Sequence, residues 1–158
     1  MRKKWTTGIA VAFVVLSCLS CVIGWGLFRL FKEQIFLQAC GQGSTSVVRY
    51  LLNGGVSVEA RDGWNSGCLF YAAANGRDEI VTLLISRGID VNSIYRMNFT
   101  ALMMAAANGK LETVKLLIRH GANIHLRDSN GKTALDYAAE QKHPEIVEIL
   151  KQSGYTSN

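Results

Sequence analysis

The stretch that decides the fold is residues 98–121, NFTALMMAAANGKLETVKLLIRHG. It predicts a short apolar helix, a turn at Gly and a second, amphipathic helix. The chain repeats this pattern every 33 residues. Glycine, alanine, valine and leucine recur at fixed positions of the period: Gly43, Gly76, Gly109; Gly55, Gly88, Gly121, Gly154; Ala39, Ala72, Ala105, Ala138; Val48, Val81, Val114, Val147; and Leu51, Leu84, Leu117, Leu150. Such a period predicts a stack of helical repeats.

Two segments carry a resemblance to the ankyrin family. Residues 100–106 (TALMMAA) and 133–139 (TALDYAA) stand where that family has T-P-L-H-x-A-A. The segment 80–92, with its Ile-Val and Leu-Ile pairs and the ending GIDVN, matches the rest of the family pattern. The resemblance covers residues 34–155. It implies an all-α fold, an α-solenoid of about four ankyrin-like helix-turn-helix repeats joined by short hairpin loops.

The chain departs from the family pattern at two positions of each repeat. The family histidine and proline are absent, and a less stable stack than an idealised one is therefore expected. The histidine is replaced by Phe70, Met103 and Asp136, and the proline by Cys68, Ala101 and Ala134.

Local signals set the expected helix ends and turns. The second repeat is predicted to form helices over 68–75 and 78–87. Thr133 with Asp136 three residues later resembles a capping box. The last outer helix is predicted to begin at Pro144 and to end before Gly154. A left-handed turn residue is expected once in each hairpin, at Asn65, Asn98 and Gly131.

The charge distribution argues against a nucleic-acid partner. The formal net charge is +5. Residues 1–32 contain five basic residues and no acidic one, so the remaining 12 basic and 12 acidic side chains balance from residue 33 onward. A phosphate-binding surface needs basic residues gathered on one face. The repeat region has no such excess.

The N-terminal segment has the length and composition of a membrane helix. Residues 8–28 contain no charged side chain. As a helix they would span roughly 30 Å, which is the thickness of a bilayer hydrocarbon core. Trp5 and Trp25 lie near the two ends of this segment, where amphipathic rings prefer to sit. We therefore predict one N-terminal transmembrane helix that contacts the lipid bilayer through residues 8–28.

Cleaved and lipidated forms are the alternatives to an uncleaved anchor. The apolar run exceeds the usual signal-peptide core of about 7–15 residues, and no A-x-A cleavage site follows it. A lipid-attachment site would centre on Cys18, but the chain after it stays apolar instead of becoming a polar tether. These rules favour the uncleaved signal anchor over a secreted or lipid-anchored product.

Three basic residues precede the apolar segment, while the two that follow it have Glu33 beside them. The positive-inside bias then keeps the N-terminus cytoplasmic and places the repeats on the non-cytoplasmic side, which is the periplasm in a bacterium. The predicted organisation is a basic flank (1–7), a transmembrane helix (8–31) and an ankyrin-repeat domain (32–158). The repeats cover about 34–60, 61–93, 94–126 and 127–158.

No motif for catalysis, cofactor binding or metal binding is present. The three histidines have no cysteine, serine or second histidine at a catalytic or metal-ligand spacing. Cys18 and Cys21 form a C-x-x-C pattern inside the apolar segment, without a redox fold around it. Cys40 and Cys68 are five positions out of repeat register. On helices about 10 Å apart their Cα atoms would be too distant for a disulfide, so both are predicted to be small buried apolar residues.

Large apolar side chains in the turns and on the inner-helix faces point to a protein-binding surface. Ankyrin-family binders contact partners with their hairpin tips and with the groove face of their inner helices. That resemblance implies tip residues and groove residues here, and aromatics, Met and Arg are enriched at interface hot spots. The predicted protein-binding residues are Trp64, Arg96, Met97 and Phe99 at the tips and Tyr71, Met104, Asn108 and Tyr137 in the groove.

These observations predict a membrane-tethered, non-catalytic protein-interaction module that presents an ankyrin-type concave surface. The expected partner is another protein, with no cofactor, no nucleic acid and no small-molecule substrate. An alternative is an envelope immunity or chaperone protein that binds and masks a secreted toxin or enzyme.

Overall fold

The structure is a computed structural model that describes residues 31–155. By internal contacts the chain divides into Met1–Lys32 and Glu33–Asn158, and the second unit holds the repeats. Within the described residues the regular elements are helices, apart from an isolated antiparallel bridge between Arg61 and Gly67. The α-helices are α1 (31–42), α2 (Thr45–Asn53), α3 (Cys68–Ala74), α4 (Asp78–Ser86), α5 (Ala101–Ala107), α6 (Leu111–Arg119), α7 (Ala134–Glu140) and α8 (Pro144–Tyr155), and a short 3-10 helix spans Arg96–Asn98.

The helices alternate between an inner and an outer layer. The inner helices α3, α5 and α7 pack side by side in chain order, and so do the outer helices α2, α4, α6 and α8. Hairpin loops join each outer helix to the next inner one. The all-helical repeat fold predicted from the 33-residue period is confirmed for this part of the chain.

Helix caps follow the sequence signals. The Thr100 side chain accepts a hydrogen bond from the Met103 amide at the start of α5. Thr133 and Asp136 bond each other's backbone amides at the start of α7, which confirms the predicted capping box. Each bond satisfies an amide that a helix start would leave without a partner. α8 begins at Pro144 as predicted.

The three hairpin turns have the predicted left-handed residue. The φ angles are 59° at Asn65, 60° at Asn98 and 78° at Gly131. Asn and Gly tolerate this conformation because its steric cost falls on a bulky or branched Cβ. The turn residue of each hairpin was therefore predictable from the sequence.

The outer helices bury one apolar stripe against the inner layer. Ile80, Val81 and Leu84 of α4 are fully buried, and Leu117 occupies the place of Leu84 in α6. A polar member of the stripe, Thr113, is buried too, and its hydroxyl donates a 2.5 Å hydrogen bond to Asp78 of the preceding outer helix. The hydrogen bond offsets the cost of removing this hydroxyl from water.

One predicted helix end is wrong. α8 continues through Gly154 to Tyr155 instead of ending before Gly154. Gly55, Gly88 and Gly121, at the same position of the period, have φ near 85° and end their helices. Glycine permits such a turn but does not impose it. At Gly154 the side chain of Ile124 packs over the helix, 3.5 Å from where a Cβ would lie.

The prediction for Cys40 and Cys68 is also wrong, because the two form a disulfide with a Cα–Cα distance of 5.4 Å. The prediction assumed inner helices about 10 Å apart that face each other in repeat register. In the structure the Cβ position of Gly41 lies 3.8 Å from Tyr71 Cβ, so the end of α1 lies against the first half of α3. Small residues allow this close approach, and it brings Cys40 opposite Cys68.

The predicted transmembrane helix (8–31) lies outside the described residues except for its last residue, and Cys18 and Cys21 lie outside them altogether. None of the helices described between residues 31 and 155 combines the length and the hydropathy needed to cross a bilayer.

Replacing Leu117 tests the packing of the repeats. Its side chain is fully buried between the two layers, so Leu117→Ala is expected to lower the free energy of unfolding by roughly 2–5 kcal/mol. Leu116, the neighbouring and only partly buried leucine of α6, is the matched control, and Leu116→Ala should cost clearly less. Denaturant melts of both variants provide the measurement. Equal losses for the two variants would contradict the register described here.

Candidate functional site

The second and fourth repeats use the same polar arrangement to hold their hairpins against the inner helix. Asp128 is buried, accepts a 2.7 Å hydrogen bond from the Tyr137 hydroxyl and accepts bonds from the Asn130 and Lys132 amides at 2.9 and 2.8 Å. Asp62 accepts corresponding bonds from the Tyr71 hydroxyl and from two amides of its own turn. Each carboxylate therefore shapes a hairpin and orients a tyrosine ring.

These contacts change the pKa values of the groups involved. Burial alone would raise the pKa of Asp62 and of Asp128, but the hydrogen bonds from tyrosine and from backbone amides outweigh it and lower both values. Burial and the bonded carboxylate raise the pKa of Tyr137 to about 12. Both carboxylates are therefore ionised and both tyrosines neutral at neutral pH.

The third repeat lacks this pair. Tyr95 and Met104 stand at the positions that Asp and Tyr hold in the second and fourth repeats. Tyr95 turns into the core, where it packs against the Phe70 ring at 5.4 Å and carries the Arg61 guanidinium over its face at 4.8 Å. Burial raises the pKa of Tyr95 to about 12. The third hairpin is thus anchored by an aromatic ring instead of a carboxylate.

Tyr95 also accounts for Gly67, which stands where the next two repeats have the capping residues Thr100 and Thr133. A Cβ at Gly67 would lie 2.9 Å from the Tyr95 ring. The second repeat therefore lacks an N-cap side chain, because glycine at this position leaves room for the Tyr95 ring of the third repeat.

An apolar depression of about 310 Å³ lies between the second and third hairpins, which we call the Trp64 depression. Met104, which replaces a tyrosine at this point of the third repeat, contributes to its lining. Its lining residues are Trp64, Ser66, Phe70, Tyr71, Arg96, Met97, Phe99 and Met104. This volume lies at the lower end of the range of ligand pockets, roughly 300–1,000 Å³.

Two large apolar side chains at its rim are open to solvent. Trp64 is 69% exposed and Met97 is 50% exposed. The Arg96 guanidinium lies over the Trp64 ring, 5.2 Å from the ring centre, and adds a cation–π contact to the same rim. The rim thus combines aromatic, thioether and guanidinium groups without burying them in the stack.

Met97 adopts an unusual backbone conformation. Its φ and ψ angles are 55° and 30°, in the left-handed region that a residue with an unbranched but long side chain seldom enters. The Ser129 amide of the next hairpin donates a 3.0 Å hydrogen bond to the Met97 carbonyl, which helps to hold this conformation. Strained residues of this kind concentrate at functional sites.

The structure brings together six of the eight predicted binding residues. Tyr137 adjoins the depression through its ring contact with Phe99, at 5.1 Å between ring centres. Asn108 does not line the depression, and its side-chain amide donates a 2.8 Å hydrogen bond to the Met104 carbonyl at the end of its own helix. The six residues that line the depression are Trp64, Tyr71, Arg96, Met97, Phe99 and Met104.

The sequence prediction missed Phe70 and Ser66. Phe70 stands at the position of the family histidine, so it was noted as a departure from the pattern and not as a surface residue. An aromatic ring at a position that normally carries a polar side chain was the available signal.

A second, polar depression of about 390 Å³ shares Tyr71 with the first. Three glutamines of α1, spaced four residues apart, face Asp62 and Asn75 across it: Gln34, Gln38 and Gln42. That spacing places amide side chains on one helix face. The stripe was visible in the sequence and was not recognised as a candidate surface.

Within the described range, 31–155, no three side chains of the His, Cys, Asp or Glu types lie close enough together to hold a metal ion. His143 has a structural contact instead. Its Nε2 lies 3.3 Å from the Ala107 carbonyl oxygen, and the ring covers Gly109, where a Cβ would be 2.7 Å from Cε1.

Comparison with known proteins bears on the repeats directly. A family model described as ankyrin repeats (3 copies) matches residues 13–95 and 69–158, which together cover most of the chain. The chain belongs to the ankyrin-repeat family. No curated protein matches it. Ankyrin repeats typically bind other proteins and generally carry no catalysis of their own, so the family suggests a protein-interaction module.

Acid titration tests the carboxylate–tyrosine pairs. Because the pKa of Asp62 is lowered from its ordinary value of 3.8, the stability that this carboxylate contributes is present above about pH 4 and is lost as the pH falls through the lowered value. Tyr71→Phe should cost about 1 kcal/mol at neutral pH and should make the loss of stability in acid shallower. Melts between pH 7 and pH 2 provide the measurement.

Tyr50, exposed on α2, supplies the control for this series, and Tyr50→Phe should leave the pH profile unchanged. An unchanged acid profile in Tyr71→Phe would show that the Asp62–Tyr71 bond does not contribute to the stability.

Proposed function

We propose that this protein is a membrane-tethered, non-catalytic interaction module that binds a partner protein at the Trp64 depression. One observation carries the proposal. Trp64 and Met97, two large apolar side chains, lie at neighbouring hairpin tips around an apolar depression, and at least half of each is open to solvent.

The chemistry of the rim supports a protein partner. Burying exposed aromatic and thioether groups contributes about 25 cal/mol per Å² of apolar surface removed from water. Tryptophan and arginine are the side chains that most often dominate binding energy, especially when they surround a pocket that excludes water. The Arg96 guanidinium over Trp64 offers a donor to a carbonyl or carboxylate at the same place.

The hairpin geometry supports rigid presentation of this surface. The Trp64 backbone amide donates a 2.9 Å hydrogen bond to the Asp62 side chain. The Met97 carbonyl accepts a hydrogen bond from the Ser129 amide of the next hairpin. Tips that are ordered before binding lose little conformational entropy when a partner docks.

The tether is the second part of the proposal. The uncharged segment 8–28, with basic residues before it, supports an uncleaved membrane anchor whose N-terminus is cytoplasmic. The repeats and their partner would then meet on the non-cytoplasmic side of the membrane.

A photo-cross-linking amino acid at position 64 tests the binding surface. In membranes from cells that produce the full chain, we expect a cross-linked partner from position 64 and none from position 50. Tyr50 is the matched control because it is 76% exposed and lies on the outer helix α2, away from the depression. Mass spectrometry of the cross-linked band identifies the partner.

Once a partner is identified, Trp64→Ala and Met97→Ala should each weaken its binding by about 1–3 kcal/mol with little change in the unfolding midpoint. Equal cross-linking from positions 50 and 64, or a large fall in the midpoint for Trp64→Ala, would contradict the proposed surface. A partner that proves to be a secreted toxin or enzyme would favour the immunity or chaperone alternative.

Carbonate extraction tests the anchor. The full-length protein should remain in the membrane pellet at alkaline pH and should retain its N-terminal residues, because an uncleaved apolar helix spans the bilayer. A mature form that begins near Cys18 or Lys32, seen by N-terminal mass spectrometry, would exclude the uncleaved anchor and would leave the binding proposal intact.

A further inference from the structure

The Cys40–Cys68 disulfide joins the first repeat to the second at the centre of their contact. Both cysteines are completely buried, Cys40 near the end of α1 and Cys68 at the start of α3. Their Cα atoms lie 5.4 Å apart, within the usual range for disulfides.

The same pair of positions recurs at the other two junctions of inner helices. Shifting Cys40 and Cys68 by one period gives Ala73 and Ala101, and by two periods Ala106 and Ala134. All four alanines are buried. Alanine therefore satisfies the packing at this point, and the two cysteines replace it together at one junction only. A matched replacement of facing residues is what a covalent link requires, whereas a packing role requires neither cysteine.

Hydrogen bonds between hairpins join the later repeats. The second and third hairpins are joined by the hydrogen bond from Arg61 to the Ile94 carbonyl, at 2.7 Å, and the third and fourth by the bond from Ser129 to Met97. α1 is already helical at residues 31–34, which correspond to the hairpin residues 64–67. Within the described residues, the first repeat is therefore helical where the second repeat has the end of its hairpin.

We propose that Cys40 and Cys68 form a native structural disulfide that locks α1 onto the second repeat. The proposal further assigns the repeats to an oxidising compartment, because such disulfides form and persist there and are rare in reducing cytosol. It does not rest on the proposed function, since no partner protein takes part.

The chemistry is thiol–disulfide exchange. The two thiols lose two protons and two electrons, and one sulfur–sulfur bond forms between them. The electrons pass through a mixed disulfide to the disulfide of a thiol oxidase or of oxidised glutathione, which leaves as a dithiol or as two thiols. Because the finished bond is fully buried, small thiols reach it only after the junction opens.

Peptide mapping of the full chain detects the bond. Cells with an oxidising export compartment are treated with N-ethylmaleimide before lysis, and the chain is digested with trypsin without reductant. Cys40 lies in the expected tryptic peptide 33–49 and Cys68 in 62–77. We expect these two peptides joined, lighter by two hydrogen atoms than their sum. Recovery of both peptides as separate N-ethylmaleimide adducts would overturn the proposal.

Hydrogen exchange of the purified full chain tests the lock. Reduction should speed amide exchange in α1 and leave α6 unchanged, and it should lower the unfolding midpoint by about 10 °C.

The matched control is Cys40→Ala/Cys68→Ala, which recreates the alanine pair of the other junctions and should fold but no longer respond to reductant. In that background, Ala73→Cys/Ala101→Cys should restore a reductant-sensitive midpoint one junction along. A disulfide whose reduction changes neither α1 exchange nor the midpoint would refute the lock.

Discussion

The close contact between neighbouring inner helices is the constraint on which the rest of this structure depends. Small, fully buried residues such as Ala72, Ala105 and Ala138 occupy the inner layer at each period. Without large side chains between them, one inner helix packs directly on the next, and the outer helices then cover the junctions with leucine, isoleucine and valine. Each repeat buries its apolar face only against its neighbours, so stability is shared along the stack rather than held in one centre.

That arrangement leaves the hairpins free to differ, and the difference at the third repeat creates the candidate site. The second and fourth repeats hold their tips by an ionised aspartate bonded to a tyrosine. Where Tyr95 takes the place of the aspartate, the ring fills the core and Met104 takes the place of the bonded tyrosine. The wall between the second and third hairpins consequently becomes apolar. The surface arises because Tyr95 and Met104 replace the aspartate–tyrosine pair of the other two repeats. Gly67 leaves room for the Tyr95 ring.

The sequence predicted features that depend on local chemistry or on the period. The second inner helix was expected over 68–75 and is Cys68–Ala74, and the left-handed residue of each hairpin was identified by its type. The disulfide was missed because packing between repeats sets the distance and the tilt between two helices. The repeat period in the sequence carries no information about either. Asn108 was assigned to the groove by its position in the period; it does not line the Trp64 depression, and its side chain donates a hydrogen bond to the Met104 carbonyl of its own helix.

The departures from the repeat pattern are spatially connected through Tyr71. Its hydroxyl is bonded to Asp62, its ring stands edge-on to Phe70 at 5.7 Å, and it lines both the polar depression beside α1 and the Trp64 depression. Gly41, next to Cys40, lies against the Cβ of this same tyrosine. A bond that fixes α1 on the second repeat therefore also fixes one wall of the polar depression and the ring that divides it from the apolar one. The covalent link and the exposed apolar surface are therefore connected through one side chain, that of Tyr71.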